Sequence, residues 1–253
     1  MSRDRRWLLL LAGVLLLAMV LWTIPARVLP WLLGDQPLRL SGLGGTLWRG
    51  EAARAVLVLP SGTLHLGALR WRLEPASLAS FSPRIAVDSQ WGQQRLAMRV
   101  RRSGSARYSL RDVSASVDAR LAQQWIPVAL RGRFDAQLAR LEVVDDIPVA
   151  VHGTLTWQSA GWFGPTGPRS LGSYLAQLST TDEGSIVATV STLAGALRAE
   201  GTVTLDAGRY AVDARLDPQG PVDPELEQAL SLVAVPDENG YLLRLNGALV
   251  PPR

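Results

Sequence analysis

The feature that most constrains this chain is residues 8–24, LLLLAGVLLLAMVLWTI, seventeen positions without a charged side chain. As an uninterrupted helix the stretch spans roughly 26 Å, slightly less than the ~30 Å hydrocarbon core of a bilayer. Trp7 before it, and Ala26, Val28, Leu29 and Trp31 after it, can supply the difference. Its leucines, with Val14, Val20 and Ile24, each favour insertion by about 0.3 to 0.6 kcal/mol. Arg3, Arg5 and Arg6 precede it, offset only by Asp4. The positive-inside rule therefore keeps the N-terminus cytoplasmic and sends the rest of the chain across. A cleaved signal peptide also starts with positive charge, but its apolar region is about 7–15 residues and ends at a small-residue site. Here Ile24-Pro25-Ala26 is a poor cleavage sequence and Trp22 stands where a small or polar residue is wanted. A buried core helix would show a polar face, and this one has none. The reading is an uncleaved, single-pass signal anchor holding Leu8, Leu15, Leu17, Leu21 and Ile24 in the membrane. Residues 1–7 are then cytoplasmic, 25–36 a linker, and 37–253 the exported region.

The sequence pI near 10.2 suggests a nucleic-acid partner only until the charges are placed. All 26 basic residues are Arg, and four of them (Arg3, Arg5, Arg6 and Arg27) fall before residue 30. The 22 that follow face 21 acidic residues, so the exported part carries a net charge of +1. The pI reflects guanidinium groups that do not titrate at accessible pH, and no nucleic acid is expected. Arg95, Arg99, Arg101, Arg102 and Arg107 alternate through a hairpin and read as a solvated strand face. With no cysteine there are no disulfides and no thiolate chemistry. His65 and His152 each sit in an alternating strand pattern without a neighbouring acid, so neither is nominated as a ligand or base.

After Pro30 the sequence changes character. Residues 55–59 (AVLVL), 63–66 (TLHL) and 69–73 (LRWRL) alternate; in the last, Leu69, Trp71 and Leu73 share one face and Arg70 and Arg72 the other. That is the period-two signature of a half-buried strand. Four glycines in 42–50, GLGGTLWRG, exclude helix and favour tight turns or close backbone approach.

The order of these pieces, LxLSGLGGTLWRGEA then LGALRWRLEPASL behind a basic anchor, resembles the type II secretion system protein N family of Gram-negative inner membranes. The residues matching its pattern are Gly45, Thr46, Leu47, Trp48 and Gly50, then Trp71, Leu73 and Pro75. The likeness continues to GTVTL at 201–205 and Gly208-Arg209-Tyr210. The resemblance implies a non-catalytic accessory component of the secretion apparatus, anchored in the inner membrane with its β-rich part in the periplasm. Its partners would be other type II secretion proteins, namely the inner-membrane platform and the outer-membrane secretin. A looser likeness, to AsmA-like envelope proteins, implies the alternative of a lipid-binding or lipid-transfer module built on a curved sheet.

Further along, residues 84–87, 96–100 and 107–117 alternate as strands, and Asp118 caps a short helix ended by Pro127. Residues 130–143 alternate with Phe134, Ala136 and Leu138 on one face, so strand is expected despite helix-friendly composition. Asp145-Asp146 closes that strand as a solvated turn. Five strands follow, over 149–157, 171–179, 185–191, 196–205 and 209–216, joined by turn formers such as Asp182-Glu183-Gly184. Residues 161–168, GWFGPTGP, read as the least regular stretch, either a contact loop or aromatics folded over a sheet edge. Asp223-Pro224-Glu225 starts a helix, with Leu226, Leu230 and Val233 as its apolar stripe. A Gly-x-hydrophobic-x-hydrophobic pattern recurs at Gly45, Gly153, Gly201 and Gly247, read as strand starts. It is compatible with two related halves, 37–147 and 148–253, and equally with small residues recurring where strands begin.

No Lys-bearing phosphate loop is possible, no G-x-S-x-G elbow is present, and no short-range carboxylate pair is nominated. The expectation is therefore no enzyme, no cofactor and no metal. The fold class is mainly β: one N-terminal transmembrane helix, then a curved antiparallel sheet with one or two short helices. Trp48, Trp162 and Phe163, beside Gly-rich segments, are the candidate partner contacts; Trp71 and Trp157 read as core. Leu15→Arg places a charge near the bilayer centre at about 2.5 to 3.5 kcal/mol. It is expected to reduce alkali-resistant membrane integration sharply, while Leu57→Arg leaves integration unchanged in the same carbonate extraction.

Overall fold

The period-two stretches fold as strands. The structure, a computed structural model, describes residues 12–13, 15–16, 19–34, 37–59, 62–79, 82–104, 106–124, 129–145, 147–164, 167–220, 224–231, 234–238 and 240–248. The chain divides into two compact units, Met1–Trp91 and Gly92–Arg253. Among the described residues no helix is long and apolar enough to cross a membrane. Leu8 and Leu17 lie outside the described residues, whereas Leu15 and Leu21 are helical and exposed.

In the first unit, β1 (Leu38–Gly45), β2 (Arg49–Leu59), β3 (Gly62–Leu73) and β4 (Arg84–Trp91) form an antiparallel sheet in chain order. Alternation sorts the faces. Ala52, Ala55, Leu69 and Trp71 make the core of one face, with Leu40, Leu43 and Val87 packed around them. On the other face Glu51, Arg70 and Asp88 line up across three strands, and Arg70 Nε lies 3.8 Å from Glu51 Oε2. The chain between the apolar segment and β1 is folded onto this sheet. A 3-10 turn over Ala26–Val28 leads into α1 (Leu29–Leu33). Ala26, at 1% exposure, belongs to the core, and Leu29 packs against it. A short helix α2 (Pro75–Ala79) follows β3 and starts at its proline.

The second unit holds β5 (Gln94–Ser103), β6 (Arg107–Asp118), β7 (Leu130–Val144), β8 (Ile147–Gly164), β9 (Gly167–Thr180), β10 (Ile186–Ala194), β11 (Leu197–Asp206), β12 (Arg209–Pro218), β13 (Val235–Asp237) and β14 (Gly240–Ala248). Each strand is antiparallel to its neighbour, and among the described strands chain order is kept except at the end, where β14 lies between β12 and β13. A 3-10 turn, Ala119–Gln124, joins β6 to β7, and Asp118 Oδ1 accepts the Arg120 backbone N–H at 2.9 Å, as a cap should. Helix α3 (Pro224–Ser231) begins at its proline, and Leu226 and Leu230 pack with Ala234 on Leu216, Tyr241 and Leu243. Val233 and Asp146 lie outside the described residues.

Two observations differ from the sequence reading. Of the stretch 161–168, read as the least regular, residues 161–164 are the end of β8 and residues 167–168 the start of β9. The recurrent glycines are not strand starts. Gly45 ends β1, and Gly153, Gly201 and Gly247 lie inside strands, where the facing strand leaves no room for a side chain. A Cβ on Gly247, for instance, would sit 2.6 Å from the Tyr210 hydroxyl.

The register of this sheet sorts two neighbouring rows by polarity across its width. One row across nine strands reads Leu96, Ala115, Ala136, Leu155, Ala176, Val190, Gly201, Ala214 and Leu243. The adjacent row on the other face reads Ser114, Gln137, Thr154, Gln177, Thr189, Thr202, Asp213 and Arg244. The apolar row is half-buried along its whole length, and no second sheet covers it among the described residues. Bending supplies part of the cover. A Cβ on Gly208, in the β11–β12 turn, would lie 3.4 Å from Ile147 at the start of β8. With β9 and β10 between them, a flat sheet would hold those positions about 14 Å apart.

An aromatic row strengthens the middle of the apolar face. Phe134 and Trp157 pair across β7 and β8 with centroids 5.3 Å apart, and Trp157 and Tyr174 across β8 and β9 at 6.0 Å. Such pairs contribute about 0.5 to 1.5 kcal/mol beyond area burial. Trp157 Nε1 donates to the Arg131 carbonyl at 2.9 Å, and the Tyr174 hydroxyl to the Leu197 carbonyl at 2.9 Å. Burial pushes the Tyr174 phenol up to about 12 from its ordinary 10.0. The folded state therefore holds this proton more tightly than the unfolded one. Its full stabilisation is present below pH 10 and declines as pH rises from 10 to about 12. In an alkaline spectrophotometric titration a tyrosinate step near pH 12 is expected, and Tyr174→Phe should remove it.

Candidate functional site

A helix ends with carbonyls that have no partner within it, and the apolar helix of this chain ends at Trp22, just before the β1–β2 turn. Thr23 closes it locally: its N–H and its Oγ1 both reach the Met19 carbonyl, at 3.1 and 2.9 Å. The next carbonyls are taken by the turn. Trp48 Nε1 donates to the Leu21 carbonyl at 2.8 Å, and the Leu47 N–H to the Ile24 carbonyl at 2.8 Å. The Trp48 ring stacks on Trp22 with centroids 6.4 Å apart. Pro25 forms an isolated bridge with Thr46. The turn thus makes a collar around the helix end.

The collar is fixed from the other side by the core. Trp71 Nε1 donates to the Leu47 carbonyl at 3.0 Å, so the one residue Leu47 is held by β3 through its oxygen and by the helix end through its nitrogen. Trp71 is 7% exposed, and its ring occupies the space that a side chain at Gly50 would need. Gly45 takes φ +80°, with the Arg49 carbonyl 2.5 Å from where its Cβ would be. Each residue in GTLWxG and the later W therefore has a part. Gly45 turns the chain, Leu47 relays, Trp48 grips, and Gly50 makes room for Trp71.

The other two candidate contacts separate. Trp162 pairs with Leu130 and Phe163 with Pro168 in the β7–β8–β9 register, so the neighbouring aromatics fall on opposite faces. Trp162 is half-buried beside Gly164, where α3 brings Glu225 to 3.7 Å from Arg169. Phe163 is 41% exposed and has the guanidinium carbons of Arg131 and Arg120 at 5.2 and 6.0 Å from its ring centre. Sequence reasoning missed both arginines, because 120, 131 and 163 share no local motif; the pairing of β7 with β8 and the 3-10 turn before β7 bring them together. His65 stacks on Trp91 at 6.0 Å, and His152 is exposed on β8.

Removing the collar should loosen the segment between helix and sheet without unfolding the sheet. The lost indole hydrogen bond and ring pair are together about 2 kcal/mol, a factor of roughly 30 in a local opening equilibrium. Trp48→Ala is expected to expose Arg27 to trypsin at a correspondingly faster rate while the far-UV circular dichroism keeps its β signal. Trp71→Ala should instead destabilise the whole first unit by about 3 to 5 kcal/mol.

A family model for type II secretion system protein N matches residues 36–244. Two curated relatives carry that same name. The one from Aeromonas hydrophila is 26% identical over 235 residues, covering 90% of each chain. The one from Vibrio cholerae serotype O1 is 25% identical over 242 residues, covering 91% of this chain and 93% of its own. No solved structure matches. The match runs from just before β1 into β14 and so takes in the β1–β2 turn with Trp48 and Trp71; this chain belongs to the type II secretion system protein N family.

Proposed function

We propose that this chain is an accessory, non-catalytic component of the type II protein secretion machinery. Residues 8–24 anchor it in the inner membrane, with the N-terminus cytoplasmic and residues 37–253 in the periplasm. Family membership over residues 36–244 carries the reading. The surface of the described helix supports the anchor: Leu15, Leu16, Met19, Val20, Leu21 and Trp22 are all exposed, an all-round apolar surface suited to lipid and unsuited to water. Its partners are the inner-membrane platform proteins and the outer-membrane secretin. Phe163 with Arg131 and Arg120 is the contact patch that best fits a protein partner, since aromatic and Arg side chains dominate interface energetics. Trp162 supports that patch from beneath through its place beside α3.

A second reading, a lipid-binding envelope module, is favoured by one observation: the apolar face of the second unit is half-buried and carries no covering sheet among the described residues. Mass spectrometry of lipid extracted from the purified exported region separates the two readings; a stoichiometric, exchangeable lipid supports the second.

Deleting the gene is expected to reduce exoprotein secretion, and the wild-type chain to restore it. Phe163→Ala should weaken capture of the secretion partner by roughly 30-fold, the scale of a hot-spot residue of about 2 kcal/mol, while leaving the thermal midpoint near that of wild type. Normal secretion in the deletion strain would remove the secretion reading.

A further inference from the structure

The segment that follows the apolar helix leaves a large aromatic side chain outside the core. In α1, Leu29 faces the sheet and packs on the core, while Trp31 points away with 83% of its surface exposed. Pro30 and Arg27 are exposed beside it, and Trp22, nine residues earlier, is 65% exposed. An indole left in water is an uncompensated apolar surface, yet its N–H needs a polar partner. The bilayer interface satisfies both needs, which is why Trp concentrates at headgroup depth, and a neighbouring Arg fits the phosphates there.

From the exposure of these two indoles we infer that residues 22–31 form a second membrane contact, an interfacial foot in which Trp22 and Trp31 lie at headgroup level and Arg27 meets lipid phosphate. The occupant is the bilayer surface, because the foot is continuous with the apolar helix. The collar leaves it no slack: Leu21 and Ile24 are hydrogen-bonded to the β1–β2 turn, and Ala26 is sealed in the core of the same sheet. A helix that emerges from lipid at Trp22 therefore brings the first unit against the membrane. This inference rests on the anchor reading above and adds a site to it.

The chain contains no cysteine, so single spin labels report without background. The full-length protein with Trp31→Cys, Leu15→Cys or Gln177→Cys, each spin-labelled, is reconstituted into phosphatidylethanolamine–phosphatidylglycerol vesicles. Collision with oxygen and with a water-soluble nickel chelate then gives depth. The label at 15 should be shielded from the chelate, and the label at 177, on the exposed polar face of β9, fully accessible. The label at 31 should be several-fold less accessible to chelate than that at 177, at an interfacial depth. Equal chelate access at 31 and 177, with 15 shielded, overturns the foot and leaves the anchor standing. Free chelate access at 15 overturns the anchor and the foot with it.

Discussion

The hydrogen bonds that finish the apolar helix are the constraint on which the first unit depends. Carbonyls at a helix end must find donors, because an unpaired buried backbone group costs as much as a lost hydrogen bond. Here two donors come from a single β-turn, the Trp48 indole and the Leu47 amide. The turn holds its shape because Trp71 pins Leu47 from the core side. Gly45 and Gly50 are consequences of that arrangement: one allows the turn, the other leaves space for the ring. The same contacts put Ala26 into the core, so the approach to the sheet is structural and not a tether.

The second unit solves a different problem. A sheet with one apolar and one polar face normally buries the apolar face against another layer. The described residues show no second sheet, and the cover comes from bending, from α3 over Leu216, Tyr241 and Leu243, and from the aromatic row through Phe134, Trp157 and Tyr174. The buried Tyr174 hydroxyl is matched within the sheet by donating to the Leu197 carbonyl. The result is a core one side chain deep, and among the described residues no large side chain is completely removed from solvent. Stability is consequently distributed over many cross-strand pairs, each of modest size.

Much of this was legible in the sequence for a physical reason: a strand with one wet face writes its register into alternating polarity. The 130–143 stretch declared itself by Phe134, Ala136 and Leu138, and the helix at Pro224 by its start signal. The family pattern, too, lay in order along the chain. What could not be read was anything set by long-range pairing. Trp48 looks like an exposed contact in sequence, and its partner Leu21 lies 27 positions away. The opposite facing of Trp162 and Phe163 was available from alternation alone, but only once 161–164 is known to be strand. Glycine and proline density argued the other way there, and strand pairing with β7 overrode it.

The order of the strands bears on how such a chain can be delivered. Within each unit nearly every strand pairs with its predecessor in sequence; only β14 reaches back across α3 and β13 to β12. Partners that are close in sequence close small loops, and small loops form fast. A polypeptide of this topology threaded through a pore from its N-terminal end can complete each hairpin as soon as the second strand clears the opening. At any moment a single new edge is unpaired, and the next segment to emerge is the one that covers it. Emergence and assembly then run in the same direction, and the interval in which a sticky edge waits for a distant partner is confined to the last hairpin.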